Sequence, residues 1–276
     1  MSTFENYFKS NQALWNLKTD VHVKSDFYDL EAFKKGKSSL HQIELDEIGD
    51  VKGKSMLHLQ CHFGQDTLSW AREGAQVTGV DLSDKAIVLA NKLNEELQLD
   101  AEFINANVYD LKDHLNKKFD IVFTSYGTIG WLPDLDKWAD IVKHFLNENG
   151  IFYIIEFHPF IWMYDDDFKK ITYSYFNQEV IHTVQEGTYA DRDADIKHEE
   201  FSWNHSLSEV INALIRQGLK IESVNEFPFS CYNIFPNLIQ DDQGYWRMKG
   251  LEDKLPLMYS IKASNKKSRS GKTAVS

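Results

Sequence analysis

Asp81 is the residue whose type and place most narrow the chemistry open to this chain. It closes the run AQVTGVD and follows Gly64, at the end of MLHLQCHFG, by about 20 residues. An acid at the end of one apolar run, facing a glycine turn at the end of the run before it, suits a ligand that contains a nucleoside. Side-by-side parallel strands open a crevice at their carboxyl ends. Helix N-terminal N–H groups point into that crevice, and a carboxylate there can accept from both hydroxyls of a ribose. The remaining reactive residues are scattered. Cys61 and Cys231 lie far apart, which excludes a disulfide framework and a zinc pattern. His182 and His198 have no further ligands at metal-like spacing, so no metal is expected.

Asp81 can serve this way only if a parallel layer positions it. MLHLQC, AQVTGVD, AEFINA, FDIVFTS and GIFYIIEF read as strands, with helical patterns between them at 66–73, 84–97 and 135–147. Ser83 stands at an N-cap before Asp84, and Asn149 with Gly150 is expected to end the helix before the fifth strand. Apolar strands alternating with helices imply a parallel sheet covered on both faces. Residues 158–205 then break the alternation. They are rich in aromatics, carry an acidic run at 165–167, and are too long for a routine connection. We expect an insertion folded over the mouth of the crevice, with short strands at 171–175 and 179–184. A helix resumes at 206–217 with Gly218 just past its end, and strands follow at 219–226 and 257–263.

Residues 1–50 form an arm with helical pieces, notably around 39–48, and no clear strand. Its aromatics either pack the arm onto the main domain, or Trp15, His22 and Tyr28 close a lid over a ligand. The expected division is therefore an arm or lid over 1–50, a domain over 51–263, and a polar, basic, disordered tail over 264–276.

With 42% hydrophobic and 26% charged residues, the 276-residue chain should fold as an ordinary globule. A net charge of -12 argues against a nucleic-acid partner, since phosphate neutralisation needs a basic surface. No apolar run is long enough to span a bilayer, and the amino-terminal residues carry no signal-peptide pattern. A cytoplasmic protein without a membrane or nucleic-acid partner is expected, and no oligomeric state is assigned.

The segment MLHLQCHFGQDTLSWAREGAQVTGVDLS resembles the nucleotide-binding half of class I S-adenosylmethionine-dependent methyltransferases. The resemblance in element order covers about residues 50–160 and is looser beyond. It implies a Rossmann-like three-layer α/β sandwich with a seven-stranded, mostly parallel sheet. In that family the first strand ends in an acid followed by three alternating glycines. Here those positions hold His58, Gln60, His62 and Gly64, so one glycine remains. A dinucleotide pyrophosphate needs the close backbone approach that three glycines allow. S-adenosylmethionine carries no phosphate, so the departure weighs against a NAD-dependent oxidoreductase.

By the same resemblance, Gln60, Cys61, His62, Phe63, Gly64 and Gln65 line the cofactor turn. Gln60 and His62 either replace backbone contacts with side-chain ones or narrow the pocket. Asp81 holds the ribose and Leu82 packs near the adenine. Asn107 and Val108 meet the adenine edge, and Ser125 meets the methionine end. Trp15, Tyr126 and Trp131 are the candidate substrate contacts, Trp131 being either a wall of the site or plain packing.

Methyl transfer is an in-line displacement, so alignment in a dry pocket supplies much of the catalysis. A hydroxyl nucleophile also needs a base, for which Glu156, His158 and His205 are the candidates. The absence of an Asn-Pro-Pro-Tyr run after the fourth strand weighs against amide or DNA-base methylation. The expected function is S-adenosylmethionine-dependent methylation of a small molecule, with a non-catalytic nucleoside-binding module as the alternative.

Overall fold

The runs MLHLQC, AQVTGVD, FDIVFTS and GIFYIIEF become the interior of one seven-stranded sheet because they are buried on both faces, whereas AEFINA forms an edge strand. The structure is a computed structural model that describes residues 3–165 and 167–266. Three helices come first: α1 (Thr3–His22), α2 (Leu30–Lys34) and α3 (Gln42–Ile48). The alternating part follows as β1 (Ser55–Leu59), α4 (Gln65–Arg72), β2 (Gln76–Asp81), α5 (Asp84–Glu96), β3 (Glu102–Asn105), β4 (Phe119–Ser125), α6 (Leu135–Phe145) and β5 (Leu146–Phe157). Next come β6 (Ile181–Glu186), β7 (Lys197–Ser202), α7 (Leu207–Arg216), β8 (Lys220–Phe227), β9 (Leu238–Gln240), β10 (Trp246–Met248) and β11 (Met258–Ser264).

The main sheet has the order β3-β2-β1-β4-β5-β11-β8, and β11 runs antiparallel to both of its neighbours. Period-two alternation divides the core. Leu57, Val122, Phe152, Ile154 and Ile261 face one helical layer with Trp138, Val142 and Leu214. Met56, Ile121, Phe123, Tyr153 and Met258 face the other layer, with Leu68, Trp70 and Leu93. The result is the expected three-layer α/β sandwich with a seven-stranded, mostly parallel sheet. The strand order reverses between β1 and β4, and a crevice opens at their carboxyl ends.

Several details differ from the sequence reading. The helix before the fifth strand ends at Phe145, and Asn149 and Gly150 lie inside β5 rather than ending that helix. Asn149 has φ 66°, and the β4–β5 register shifts nearby, so the pair forms an irregularity in the strand. In the insertion, Ile171 makes a single bridge to Tyr164 in place of a strand at 171–175. The expected strand at 179–184 is β6, which starts at Ile181 and pairs with β7, a strand of polar sequence that the reading missed. The tail begins later than 264. Ser264 ends β11, and Asn265 donates its backbone N–H to Gly150 O. The rest of the expected disordered tail, 267–276, lies outside the described residues.

The largest addition is α1, twenty residues long. Residues three, four and seven apart share a helix face. Gln12, Asn16 and Asp20 lie on the side toward the turn after β2, where Gln12 Nε2 donates to Leu82 O and Ser83 Oγ donates to Asn16 Oδ1. Asn11, Trp15, Lys18 and His22 lie on the side toward the insertion, where the Asn11 amide bonds both the C=O and the N–H of Phe201 on β7. Among the described residues, no helix is long and apolar enough to cross a membrane.

Candidate active site

A cavity of about 1180 Å³ lies at the carboxyl ends of β1, β2 and β4, beneath α1 and the β6–β7 ribbon. A pocket for one small ligand spans roughly 300–1,000 Å³, so this volume leaves room for a second one.

The turn after β1 forms its floor. Gln60, His62 and Gly64 all have positive φ, at 57°, 50° and 82°. The left-handed turn that suits glycine is thus kept where two of the three residues carry side chains. Gly64 has no such freedom, since a Cβ there would stand 2.7 Å from the Phe103 ring. Gln60 Nε2 donates to Thr128 O at 2.8 Å, while its Oε1 is buried in the cavity wall with no partner among the described residues. His62 Nδ1 accepts from Phe63 N at 2.8 Å, and its Nε2 lies 2.9 Å from His22 Nδ1. With Nδ1 accepting, the His62 proton sits on Nε2 and is donated to His22. Burial lowers both rings, His62 to about 3 and His22 to about 2, so the pair is neutral. The Gln65 amide donates to Tyr28 O and ties the arm to the turn. Cys61 is buried beside Val80, and burial raises its thiol well above the usual range.

Asp81 accepts from His62 N and Ser83 N, each at 2.8 Å and on different oxygens. Asp81 lines the cavity, and a carboxylate oxygen can accept more than one hydrogen bond. Burial raises its carboxyl to about 6, against the pull of these amides. Leu82 and Val108 supply apolar wall beside it, together with Phe8 from α1. Asn107 caps a six-residue 3₁₀ helix (Val108–Asp113) by accepting from Tyr109 N at 3.1 Å.

The loop after β4 forms the far wall. Ser125 Oγ donates to Asp66 Oδ2 at 3.1 Å, and His58 Nε2 lies 3.3 Å from that hydroxyl. Tyr126 has φ 36°, a strained value for an aromatic residue, and its hydroxyl donates to Glu44 Oε2 at 2.9 Å. Glu44 is fully buried on α3, and burial raises its carboxyl to about 8. Trp131 Nε1 donates to Gly127 O, and its ring meets Trp15 edge to face at 5.3 Å between centroids.

The candidate bases fare differently. Glu156 lines the cavity, but its carboxylate accepts from the backbone N–H of Gly127, Thr128, Ile129 and Phe157 and from the Thr128 hydroxyl. It is spent on holding the loop after β4. His158 stands outside the cavity wall; its Nε2 lies 2.9 Å from Glu226 Oε1 and its Nδ1 accepts from Phe160 N. His205 reaches the cavity, yet Nε2 donates to Leu132 O at 2.7 Å and Nδ1 lies 3.1 Å from Glu209 Oε1. The structure therefore gathers the expected cofactor and substrate residues around one cavity and leaves none of these three bases with a free acceptor there. Sequence reasoning missed Lys18, Asp66, Tyr189, Glu200 and Tyr232, which also line the cavity. Only the Asn11, Trp15, Lys18, His22 spacing could have pointed to the first of them.

The fold is shared with solved structures of S-adenosylmethionine-dependent methyltransferases. Residues 57–152 match the family model described as a methyltransferase domain. A curated relative, an uncharacterized methyltransferase of Synechocystis sp., is 31% identical over 131 residues, which are 47% of this chain and 59% of that protein. The chain spans about half the length of the curated relatives it matches. Among solved structures, an S-adenosylmethionine-dependent methyltransferase from Clostridium acetobutylicum superposes with TM-score 0.57 and 14% identity, covering 90% of this chain and 95% of that one. The glycopeptide N-methyltransferase MtfA, complexed with S-adenosylmethionine, superposes with TM-score 0.51 and 15% identity over 80% of this chain and 91% of its own.

Proposed function

We propose that the protein is an S-adenosylmethionine-dependent methyltransferase acting on a small-molecule acceptor. The observation that carries this reading is Asp81, a carboxylate at the end of β2 that lines a crevice at the sheet's point of reversal. The residues present also fit the cofactor's other end. Gln60 Oε1 is a buried acceptor with no partner among the described residues, which suits the methionine ammonium. Leu82, Val108 and Phe8 give the adenine an apolar slot. Bound there, S-adenosylmethionine supplies an electrophilic methyl group.

The chain's own part is binding, orientation and exclusion of water. Asp81 fixes the nucleoside, Tyr126 and Trp131 flank the space left for an acceptor, and α1 with the β6–β7 ribbon covers it. The aromatic wall favours a ring-containing acceptor. Because the nearby acid and histidine are already bonded, catalysis rests on alignment more than on a side-chain base.

Calorimetry tests the reading. Micromolar binding of S-adenosylhomocysteine with none of NADH supports it, and the reverse refutes it. Binding without turnover of any acceptor in a metabolite panel would favour a nucleoside-binding module instead.

A further inference from the structure

Lys18 is the most unusual side chain of the cavity wall. It projects from near the carboxyl end of α1, is 4% exposed, and its ammonium lies 5.0 Å from the Trp15 ring centroid and 5.1 Å from that of Trp131. Tyr189 closes a third side at 6.0 Å. An ammonium has three N–H donors. Among the described residues, Lys18 makes one hydrogen bond, to Glu200 Oε2 at 3.4 Å, which is long for a charge-assisted contact. Cation–π contacts offset part of the cost of burying the charge, but a buried ammonium with one distant carboxylate is under-partnered. Burial lowers its pKa in spite of Glu200, in keeping with that balance.

The neighbourhood limits what could complete it. The same wall carries the acids Asp66, Asp81, Glu156 and Glu200, with Asp29 and the exposed Asp167 and Glu186 in addition. The other cations of the wall, Lys37 and Arg192, are both exposed, and Lys37 is paired with Asp29 at 3.1 Å. These acids repel any anion, a doubly charged phosphate about twice as strongly as a single carboxylate, so the under-partnered ammonium favours the latter. Trp15 and Trp131 also shield the site from water, which strengthens a charge-assisted bond made there.

We propose that Lys18 anchors a carboxylate of a ligand in this cavity, borne either by the methionine end of the cofactor or by the methyl acceptor. The inference rests on the cofactor reading above for the first source and stands without it for the second. If the acceptor bears the carboxylate, the enzyme's substrates are ring-containing monocarboxylates.

Four probes decide the matter by calorimetry on wild type and Lys18→Met, a substitution of similar length without charge. Two are S-adenosylhomocysteine and its decarboxylated analogue. The others are para-hydroxybenzoate and its neutral amide. Lys18→Met is expected to weaken one carboxylate probe by about ten- to hundredfold while its uncharged counterpart changes less than about threefold. Loss confined to S-adenosylhomocysteine assigns the carboxylate to the cofactor, and loss confined to para-hydroxybenzoate assigns it to the acceptor. Equal loss within each pair, no loss, or a wild type that binds neither carboxylate overturns the proposal. A wild type that binds neither adenosyl probe refutes the cofactor reading separately. Should Lys18→Met fail to fold, Glu200→Gln gives the mirrored test: releasing Lys18 should tighten the carboxylate probe several-fold, and unchanged affinity overturns the proposal.

Discussion

Replacing His62 or Gln60 with glycine should give opposite balances of strain and contact, although both residues sit in the same left-handed turn. Each substitution relieves a positive φ that costs a non-glycine residue about 1–2 kcal/mol. Each also adds unfolded-state freedom worth about 0.5–1 kcal/mol in the other direction. The contacts then decide. His62→Gly strips the buried His22 Nδ1 of its partner, which costs about 1–3 kcal/mol. It also removes ring contacts to Trp15, Tyr28 and Phe63, worth about 1 kcal/mol or more together. The net expectation is a loss of about 2–3 kcal/mol. Gln60→Gly gives up a single hydrogen bond to Thr128 O, worth about 0.5–1.5 kcal/mol, and deletes an unpartnered oxygen. Its stability should stay within about 1 kcal/mol of wild type. Gln60→Gly should instead weaken S-adenosylhomocysteine binding about tenfold, because the removed oxygen is the acceptor assigned to the methionine ammonium. Urea unfolding and calorimetry read the two effects separately. A His62→Gly protein as stable as wild type, or a Gln60→Gly protein of unchanged affinity, would refute the reasoning.

Other outcomes follow from the same geometry. Asp81 grips hydroxyl donors only as a carboxylate, so S-adenosylhomocysteine affinity should fall as pH drops through about 6, and Asp81→Asn should bind weakly with no such pH dependence, as titrations across that range would show. Glu44 holds its proton more tightly folded than unfolded. Its contribution should be full below pH 4.5 and lost as pH rises toward about 8, and Glu44→Gln should flatten that slope in unfolding measured from pH 4 to 9. Glu156→Gln should destabilise the protein by about 2–4 kcal/mol through the loop after β4 while leaving the shape of the pH–rate profile unchanged.

The alternating core was legible because buried parallel strands must be apolar on both faces, and MLHLQC, FDIVFTS and GIFYIIEF declare that directly. Asp81 was legible for a related reason: a polar residue ending such a run has to face the crevice. What covers the crevice was not. The α1 face toward the cavity carries Asn11, Lys18 and His22, so the helix lacks the apolar stripe that marks a helix packed on an ordinary core. β7 hides likewise, since Lys197–Ser202 reads as polar although His198 and Glu200 turn toward the ligand space. Glu156 and His158 drew notice because residues at strand ends often reach a site. Sequence could not show that a loop and the neighbouring β8 claim their polar atoms first.

The pairing of Asn11 with Phe201 has a consequence beyond the ligand cavity. A two-stranded ribbon such as β6–β7 has two open edges, and exposed N–H and C=O groups there invite strands from other molecules. One side-chain amide imitates a neighbouring strand by donating to Phe201 O and accepting from Phe201 N, so part of the β7 edge is already taken. The helix that roofs the cavity thereby also guards the ribbon against unwanted sheet extension, and a chain shortened from its amino terminus through Asn11 would lose this protection from self-association.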